Sequence, residues 1–227
     1  MPSGALVSLL TVRLAEVREL VELRPSDLSS PAAARRTAVN RAAVVLLCAH
    51  LEGFLEDLVG ELVDLLNSSA PRLENIPLRL RAAHVTDEID AIADMADPAR
   101  RAERIERLFR DHGDLWLADT LISQLRVEAI TVGMSNPGAS EINRLFLSIG
   151  LENALDEVTL TDGSNPVKRV NEFVGVRNSI AHGEDTKVTD DQVERYLNAV
   201  ECLARDLDSA VAKHVQSITE SPTLPWS

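Results

Sequence analysis

The strongest constraint on the fold is a long stretch of apolar residues with helical spacing between residues 32 and 67. Its apolar positions are Val39, Ala43, Leu47, Leu51, Phe54, Leu58, Leu62 and Leu65. Residues three or four apart lie on one side of an α-helix, so this spacing predicts one long core helix. A helix of about 36 residues would span roughly 50 Å or more. We therefore expect either a bend near Gly53 or a later start.

The composition favours helices in the rest of the chain. Only 3% of the 227 residues are aromatic, whereas 45% are hydrophobic, which is enough to bury a substantial core. We predict an all-α fold in a single domain over residues 1–216. Residues 1–30 would form an N-terminal helix and turn, residues 31–216 the core, and residues 217–227 a flexible tail.

Apolar spacing and capping residues predict the other helices. Asn136 is expected to cap a helix that begins at Pro137, and Asn165 a helix that begins at Pro166. The sequence Thr189-Asp190-Asp191-Gln192 is typical of a capping box. The predicted helices cover residues 5–23, 78–96, 98–112, 137–149, 166 to the glycine at 183, and 189 to about 214.

Charge and cysteine content limit the classes of function. A net charge of -13 argues against a protein that coats nucleic acid, although a local basic cleft stays possible. Cys48 and Cys202 each lie in an apolar helical pattern, which favours reduced core thiols over a disulfide. The longest apolar run, residues 42–49, is too short to cross a membrane, and the N-terminal residues lack a signal-peptide pattern. We expect a cytoplasmic protein.

One short segment carries most of the candidate chemistry. Residues 177–183, RNSIAHG, place Arg177, Asn178 and His182 where a helix ends. On a regular helix the side chains of Arg177 and His182 would diverge by about 140°, so they converge only if the chain turns near Ala181. The guanidinium donates to phosphate, and the imidazole transfers protons near neutral pH. The set suits metal-free RNA cleavage by a ribose 2′-hydroxyl. The alternative is that Arg177 and His182 only cap the helix carbonyls.

The order of these residues resembles a known signature. RNSIAHG is similar to the Arg-Asn-x-x-x-His motif of the HEPN superfamily, small all-α domains that include many ribonucleases of toxin–antitoxin and anti-phage systems. Two earlier segments strengthen the resemblance: residues 51–58, LEGFLEDL, and residues 135–150. All three occur in the order of the RiboL-PSP-HEPN-like branch. The resemblance covers roughly residues 35–210.

This resemblance implies a fold and an activity. The fold would be a HEPN-like helical bundle with additional helices. The activity would be that of a metal-independent endoribonuclease without cofactors, acting as a toxin or an anti-phage defence effector. Arg177 and His182 would be catalytic, Asn178 would support them, and Glu52 would be an acidic member of the site. It also implies a homodimer in which two motifs share a cleft that binds RNA, and an antitoxin or defence-system protein as a partner.

Two further positions, Glu52 and His50, allow more than one interpretation. Glu52 either lies beside the core, where Arg177 or His182 would pair with it, or joins Glu56 at the surface. His50, near the apolar stripe, is expected to be a hydrogen-bonded core or interface residue rather than a catalytic one.

A row of arginines is the candidate RNA-binding surface. Arg100, Arg104 and Arg107 recur at helical spacing and could contact the RNA backbone, although Glu103 and Glu106 also favour a solvated, salt-bridged face. One alternative to a nuclease is a non-catalytic helical module in which the motif is structural and the acidic surface meets a protein partner. Another is a nucleotide-binding partner of a nucleotidyltransferase.

Overall fold

The computed structural model describes residues 1–27, 29–121 and 124–226, and its regular structure is helical. A π-helical segment, Leu9–Arg13, joins the first two helices. Across these residues the only strand-like pairing is an isolated bridge between Arg72 and Thr120, so the all-α prediction is confirmed. The helices are α1 (Gly4–Ser8), α2 (Leu14–Glu22), α3 (Ser30–Ser69), α4 (Leu78–Ala83), α5 (Thr86–Ala93), α6 (Pro98–His112), α7 (Asp114–Leu117), α8 (Glu128–Thr131), α9 (Ala139–Ser148), α10 (Pro166–Ala181) and α11 (Asp190–Thr219).

The central element is α3, a continuous helix of 40 residues. The predicted apolar face is buried along it, with Leu47, Leu51 and Leu58 each 0% exposed. The helix starts earlier than expected and continues through Gly53. A side chain at Gly53 would place its Cβ 2.9 Å from Nη1 of Arg13, so this glycine makes room for the arginine. Arg13 crosses α3 there and forms an ion pair with Asp57.

Most of the packing against α3 comes from four helices: α1, α2, α10 and α11. α11 runs in the same direction as α3, because its first turn contacts Asn40 and the carbonyl of Ile218 near its end accepts from Asn75, just beyond α3. α10 crosses α3 near Leu51, which borders the same small cavity as Phe173. This crossing positions the end of α10 beside the first half of α3.

The start of α9 differs from the prediction. The helix begins at Ala139 rather than Pro137, and Asn136 does not cap it; its buried Oδ1 has no hydrogen-bond partner. The cap comes from another helix, because Oδ1 of Asn171 in α10 accepts the N–H of Ala139 at 3.0 Å. Local sequence rules do not detect such a cap, since the two residues meet only in the folded chain.

Two further boundaries differ. The helix predicted over residues 78–96 is split into α4 and α5 around His84, which is buried and bonds the carbonyl of Leu80 at 2.9 Å and the N–H of Arg126 at 2.7 Å. α11 continues to Thr219, into the stretch predicted as tail, because Ile218 is 3% exposed and packs in the core. The capping box at Thr189 and the cap at Asn165 are confirmed.

The segment from α4 to α8 packs at the far end of α3. Asn67 holds it there, because its side-chain amide donates to the carbonyl of Leu125 at 3.0 Å and accepts the Leu125 N–H at 2.8 Å. α6 contributes no buried residue. Within the described parts of the chain, no helix combines the length and apolarity that crossing a bilayer requires.

Substitution of Gly150 by alanine should destabilise the protein strongly. Gly150 has φ +93°, and an added Cβ would lie 2.5 Å from Cγ of Pro77. Backbone strain of about 1–2 kcal/mol and overpacking of about 1–3 kcal/mol should add. Gly163, with φ +69° and open space around its Cβ position, is the matched control, and Gly163→Ala should show only the strain. Denaturant unfolding measures both, and equal losses would contradict the packing argument.

Candidate active site

The C-terminus of α10 satisfies its own backbone. The N–H groups of residues 182, 183 and 184 donate to the carbonyls of residues 178, 180 and 179 at 2.9, 3.0 and 3.0 Å. Gly183 has φ +79°, a left-handed conformation that glycine adopts without a Cβ penalty. This is a Schellman cap, in which backbone amides replace the missing helical donors. No side chain is needed to cap these carbonyls.

Arg177 lies half-buried where α10 meets α3. Its Nη1 donates to Oδ1 of Asn178 at 3.1 Å, so the amide of the motif holds the guanidinium. The positive charge of Arg177 acts on both Cys48 and Glu52 of α3. The structure thus places Arg177, Asn178 and Glu52 in one neighbourhood on the α3 side of the motif.

Glu52 is half-buried, and its pKa is raised above its usual range. Burial of the carboxylate is the main cause, the charge of Glu56 one helical turn away adds to it, and the cation of Arg177 opposes both. A raised pKa makes a carboxyl group better able to hold or release a proton near neutral pH.

Cys48 lies behind this group in the core. Burial raises the pKa of its thiol to about 11, so the thiol stays protonated at neutral pH. Both Cys48 and Cys202 are free, as the sequence predicted.

His182 occupies a different environment from Arg177. It is exposed, and its ring has no hydrogen bond or ion pair with any described residue. Its backbone, with φ −81° and ψ 3°, stays close to helical, and the chain reverses at Gly183. α10 thus ends at Ala181, and the chain turns at His182 and Gly183, directly after the position where a turn was predicted. In one chain, Arg177 faces α3 while His182 is in solvent.

The candidate RNA-binding arginines lie elsewhere. Arg100, Arg104 and Arg107 are on α6, where Arg100 pairs with Asp97 at 3.7 Å. The segment that carries α6 is tied to α3 at Asn67, about four helical turns beyond Glu52, which is roughly 20 Å along the helix axis. These arginines lie on a different helix from Arg177, and α6 packs mainly against α5 and α7.

His50 faces α2 rather than α10. Its Nε2 lies 3.0 Å from a carboxylate oxygen of Glu16, and its side chain is 15% exposed. Burial lowers the pKa of His50, although the Glu16 carboxylate opposes this effect. The contact joins α2 to α3, in keeping with a structural role.

Sequence reasoning missed one polar cluster beside the motif. The return cluster, as we call it, consists of Arg24, Arg36, Asn40 and Asp190, and it contacts the chain where it returns from the motif to the start of α11. Asn40 is 2% exposed. The signal in the sequence is a polar residue inside the apolar helix pattern, between Val39 and Ala43.

Comparison with known families identifies the family of this chain. The sequence model of the RiboL-PSP-HEPN family matches residues 10–213. The chain belongs to this family. HEPN domains are generally ribonucleases or nucleotide-binding modules. No curated protein and no solved structure gave a match. In the described residues of this HEPN chain, no three metal-ligating side chains gather into a possible metal site.

Removal of the Arg177 charge should raise the pKa of Glu52 further. Among the described residues, the guanidinium is the charge that lowers this pKa, so Arg177→Met removes what opposes burial and the charge of Glu56. The carboxyl resonance of Glu52, followed by NMR during a pH titration, reports the change. Arg169→Met is the matched control on the same helix, since Arg169 pairs with Asp162 and Glu172 instead. An unchanged or lowered Glu52 pKa in Arg177→Met would show that the two groups do not interact.

Proposed function

We propose that this protein is a metal-independent endoribonuclease. One observation carries the proposal: the side chains of Arg177 and His182 do not cap α10, because backbone amides cap it instead. The capping alternative would have required those side chains at the helix carbonyls. A cation and an imidazole in the HEPN order are therefore left for a ligand, beside a carboxyl group with a raised pKa.

The chemistry follows from the residue types. The 2′-oxygen of a ribose attacks the adjacent phosphorus, and the bond from phosphorus to the 5′-oxygen breaks. His182 transfers a proton, either from the 2′-hydroxyl or to the departing 5′-oxygen. Arg177, held by Asn178, donates to the phosphoryl oxygens that gain charge. The products are a 2′,3′-cyclic phosphate and a 5′-hydroxyl.

A second copy of the chain completes this site in our proposal. In one chain Arg177 faces α3 while His182 is in solvent, and in our proposal a homodimer joins two such motifs in one cleft. Support comes from an exposed stripe of small apolar residues on α3 that leads directly to Glu52. Its members are Ala34, Ala38, Ala42, Val45 and Ala49. Such a stripe allows two helices to approach closely.

The biological role is proposed from the family alone. Many HEPN ribonucleases are toxins or anti-phage effectors, so we assign this chain to that class in the cytoplasm. An antitoxin or a defence-system protein would restrain it. The arginines of α6, Arg100, Arg104 and Arg107, would contact the backbone of longer RNA molecules away from the cleaved bond.

A second function has its own support. In a single chain the exposed ring of His182 has no partner among the described residues, and the net charge of -13 opposes RNA binding. These features favour a non-catalytic HEPN module that binds a protein or a nucleotide. A motif that binds nucleotides without cleaving RNA would distinguish this function from the nuclease.

Purified protein should cleave RNA in the presence of a chelator. Arg177→Ala and His182→Ala should each reduce the rate by about 100-fold or more, since proton transfer and charge stabilisation each contribute factors of this size. Arg18→Ala, which alters a surface arginine paired with Glu201, is the control and should cleave like the wild type. Gel analysis measures the rate and the 2′,3′-cyclic phosphate ends.

The comparison among variants guards against a contaminating nuclease. A contaminant would copurify with every variant and give all of them the same rate. Equal cleavage by the wild type, Arg177→Ala and His182→Ala would therefore reject the proposed activity, as would a wild type that leaves RNA intact.

Disruption of the α3 stripe should separate the dimer. Val45 is 38% exposed on the stripe, and Val45→Glu would place a charge in the proposed interface. We expect the dissociation constant to rise at least about tenfold, which corresponds to roughly 1.4 kcal/mol. Val12→Glu alters an exposed valine, 62% accessible, outside the stripe and should stay dimeric. Sedimentation velocity distinguishes these outcomes, and a wild type that is monomeric at all concentrations would refute the interface.

A further inference from the structure

The chain that leaves the motif is held at both of its ends. At its start, the N–H of Glu184 donates to the carbonyl of Ser179 at 3.0 Å. At its other end Val188 is 4% exposed, and its carbonyl accepts from Nδ2 of Asn40 at 2.8 Å. Residues 183–185 and 187 between these points are exposed. The short loop therefore depends on two anchors, of which only the first is local.

Asn40 uses both amide hydrogens and its amide oxygen. Its Nδ2 donates to the carbonyl of Val188 and to Oδ1 of Asp190 at 2.9 Å, and its Oδ1 accepts from Nε of Arg24 at 2.6 Å. Only an amide can donate to a backbone carbonyl and a carboxylate while accepting from a guanidinium. A buried amide with every partner in place has one preferred orientation.

Asp190 connects this amide to two further charges. Arg36 forms a close ion pair with it, and Arg24 lies 3.6 Å away. The hydrogen bond from Arg36 is the largest cause that lowers the pKa of Asp190 to about 2, so the carboxylate stays ionised at neutral pH. The return cluster thus joins the end of α2, the first turns of α3 and the start of α11.

A short loop connects the anchored residue Val188 to the motif. His182 lies six residues before Val188, and the ring of His182 has no partner of its own among the described residues. The position of the imidazole is then set by the backbone on either side of it. Release of the Val188 end would leave only the Schellman cap to hold the loop.

We propose that the return cluster, through Asn40, positions His182 for the reaction. Asn40 is a positioning residue, because it acts through the loop and does not touch the reacting atoms. This inference rests on the proposed function. It adds a residue that lies outside the RNSIAHG segment and more than 130 positions before it in the chain.

The chain contains a matched control for this role. Asn67 is also an amide on α3, and it holds a loop by the same kind of bonds, donating to the carbonyl of Leu125 and accepting its N–H. Its loop belongs to the far end of α3, away from the motif. Asn67→Ala should therefore cost stability as Asn40→Ala does, without affecting His182.

The test compares these two variants in single-turnover RNA cleavage. Asn40→Ala should lower the rate by about tenfold or more, since misplaced catalytic groups lose factors of this size, while the protein concentration that gives the half-maximal rate stays unchanged. Asn67→Ala should cleave at the wild-type rate with a comparable loss of Tm. An unchanged rate in Asn40→Ala, or an equal fall in both variants, would overturn the proposal.

Two measurements are independent of cleavage. In Asn40→Ala the NMR signals of the His182 ring should shift, and the amides of residues 184–188 should exchange faster with solvent. Neither should change in Asn67→Ala. If the wild type does not cleave RNA, the proposed function fails, and these signals still decide whether the cluster positions His182.

A charge exchange covers the case in which Asn40→Ala does not fold. Asn40→Asp places two carboxylates 2.9 Å apart and should disturb the His182 signals. The double variant Asn40→Asp with Asp190→Asn removes that repulsion and should recover stability, but a carboxylate at residue 40 cannot donate to the Val188 carbonyl, so the His182 signals and the rate should stay altered. Full recovery of the His182 signals in the double variant would contradict a role for the bond from Asn40 to Val188.

Discussion

Burial of one face of α3 is the constraint on which the rest of the structure depends. A helix of 40 residues with a continuous apolar face is unstable in water unless other helices cover it. Each fully buried leucine contributes about 1.5–3 kcal/mol relative to an exposed one. Leu51, which is 0% exposed, lies where α10 crosses, and the next residue is Glu52. The packing that buries Leu51 therefore also places Glu52 beside the motif.

Irregular segments are attached to this framework by polar side chains that are buried or half-buried. Asn40 holds the loop after the motif, Asn67 holds the segment around Leu125, and His84 binds the N–H of Arg126. Buried backbone groups must be paired, and loops lack the regular pairing of helices. Single amides and one neutral imidazole supply these bonds. The same type of contact thus serves stability at one end of α3 and a candidate site at the other.

The motif itself shows how backbone geometry frees side chains. Because Gly183 adopts a left-handed conformation, backbone N–H groups reach the last carbonyls of α10. Arg177 then bonds Asn178, and His182 is left in solvent. A residue with a Cβ at position 183 would strain this left-handed conformation.

The sequence alone determined much of the fold and several residues of the candidate site. The apolar spacing around Leu47 and Leu58 specified α3, and local caps at Asn165 and Thr189 specified the starts of α10 and α11, because helix periodicity and capping depend on residues only a few positions apart. The motif residues and their family were also visible in the sequence. Tertiary structure alone decided the cap of α9 by Asn171, the approach of Arg177 to Glu52, and the bonds from Asn40 to Val188 and Asp190. These contacts join residues 32 to 150 positions apart, and their geometry depends on how the helices cross, which no local pattern encodes.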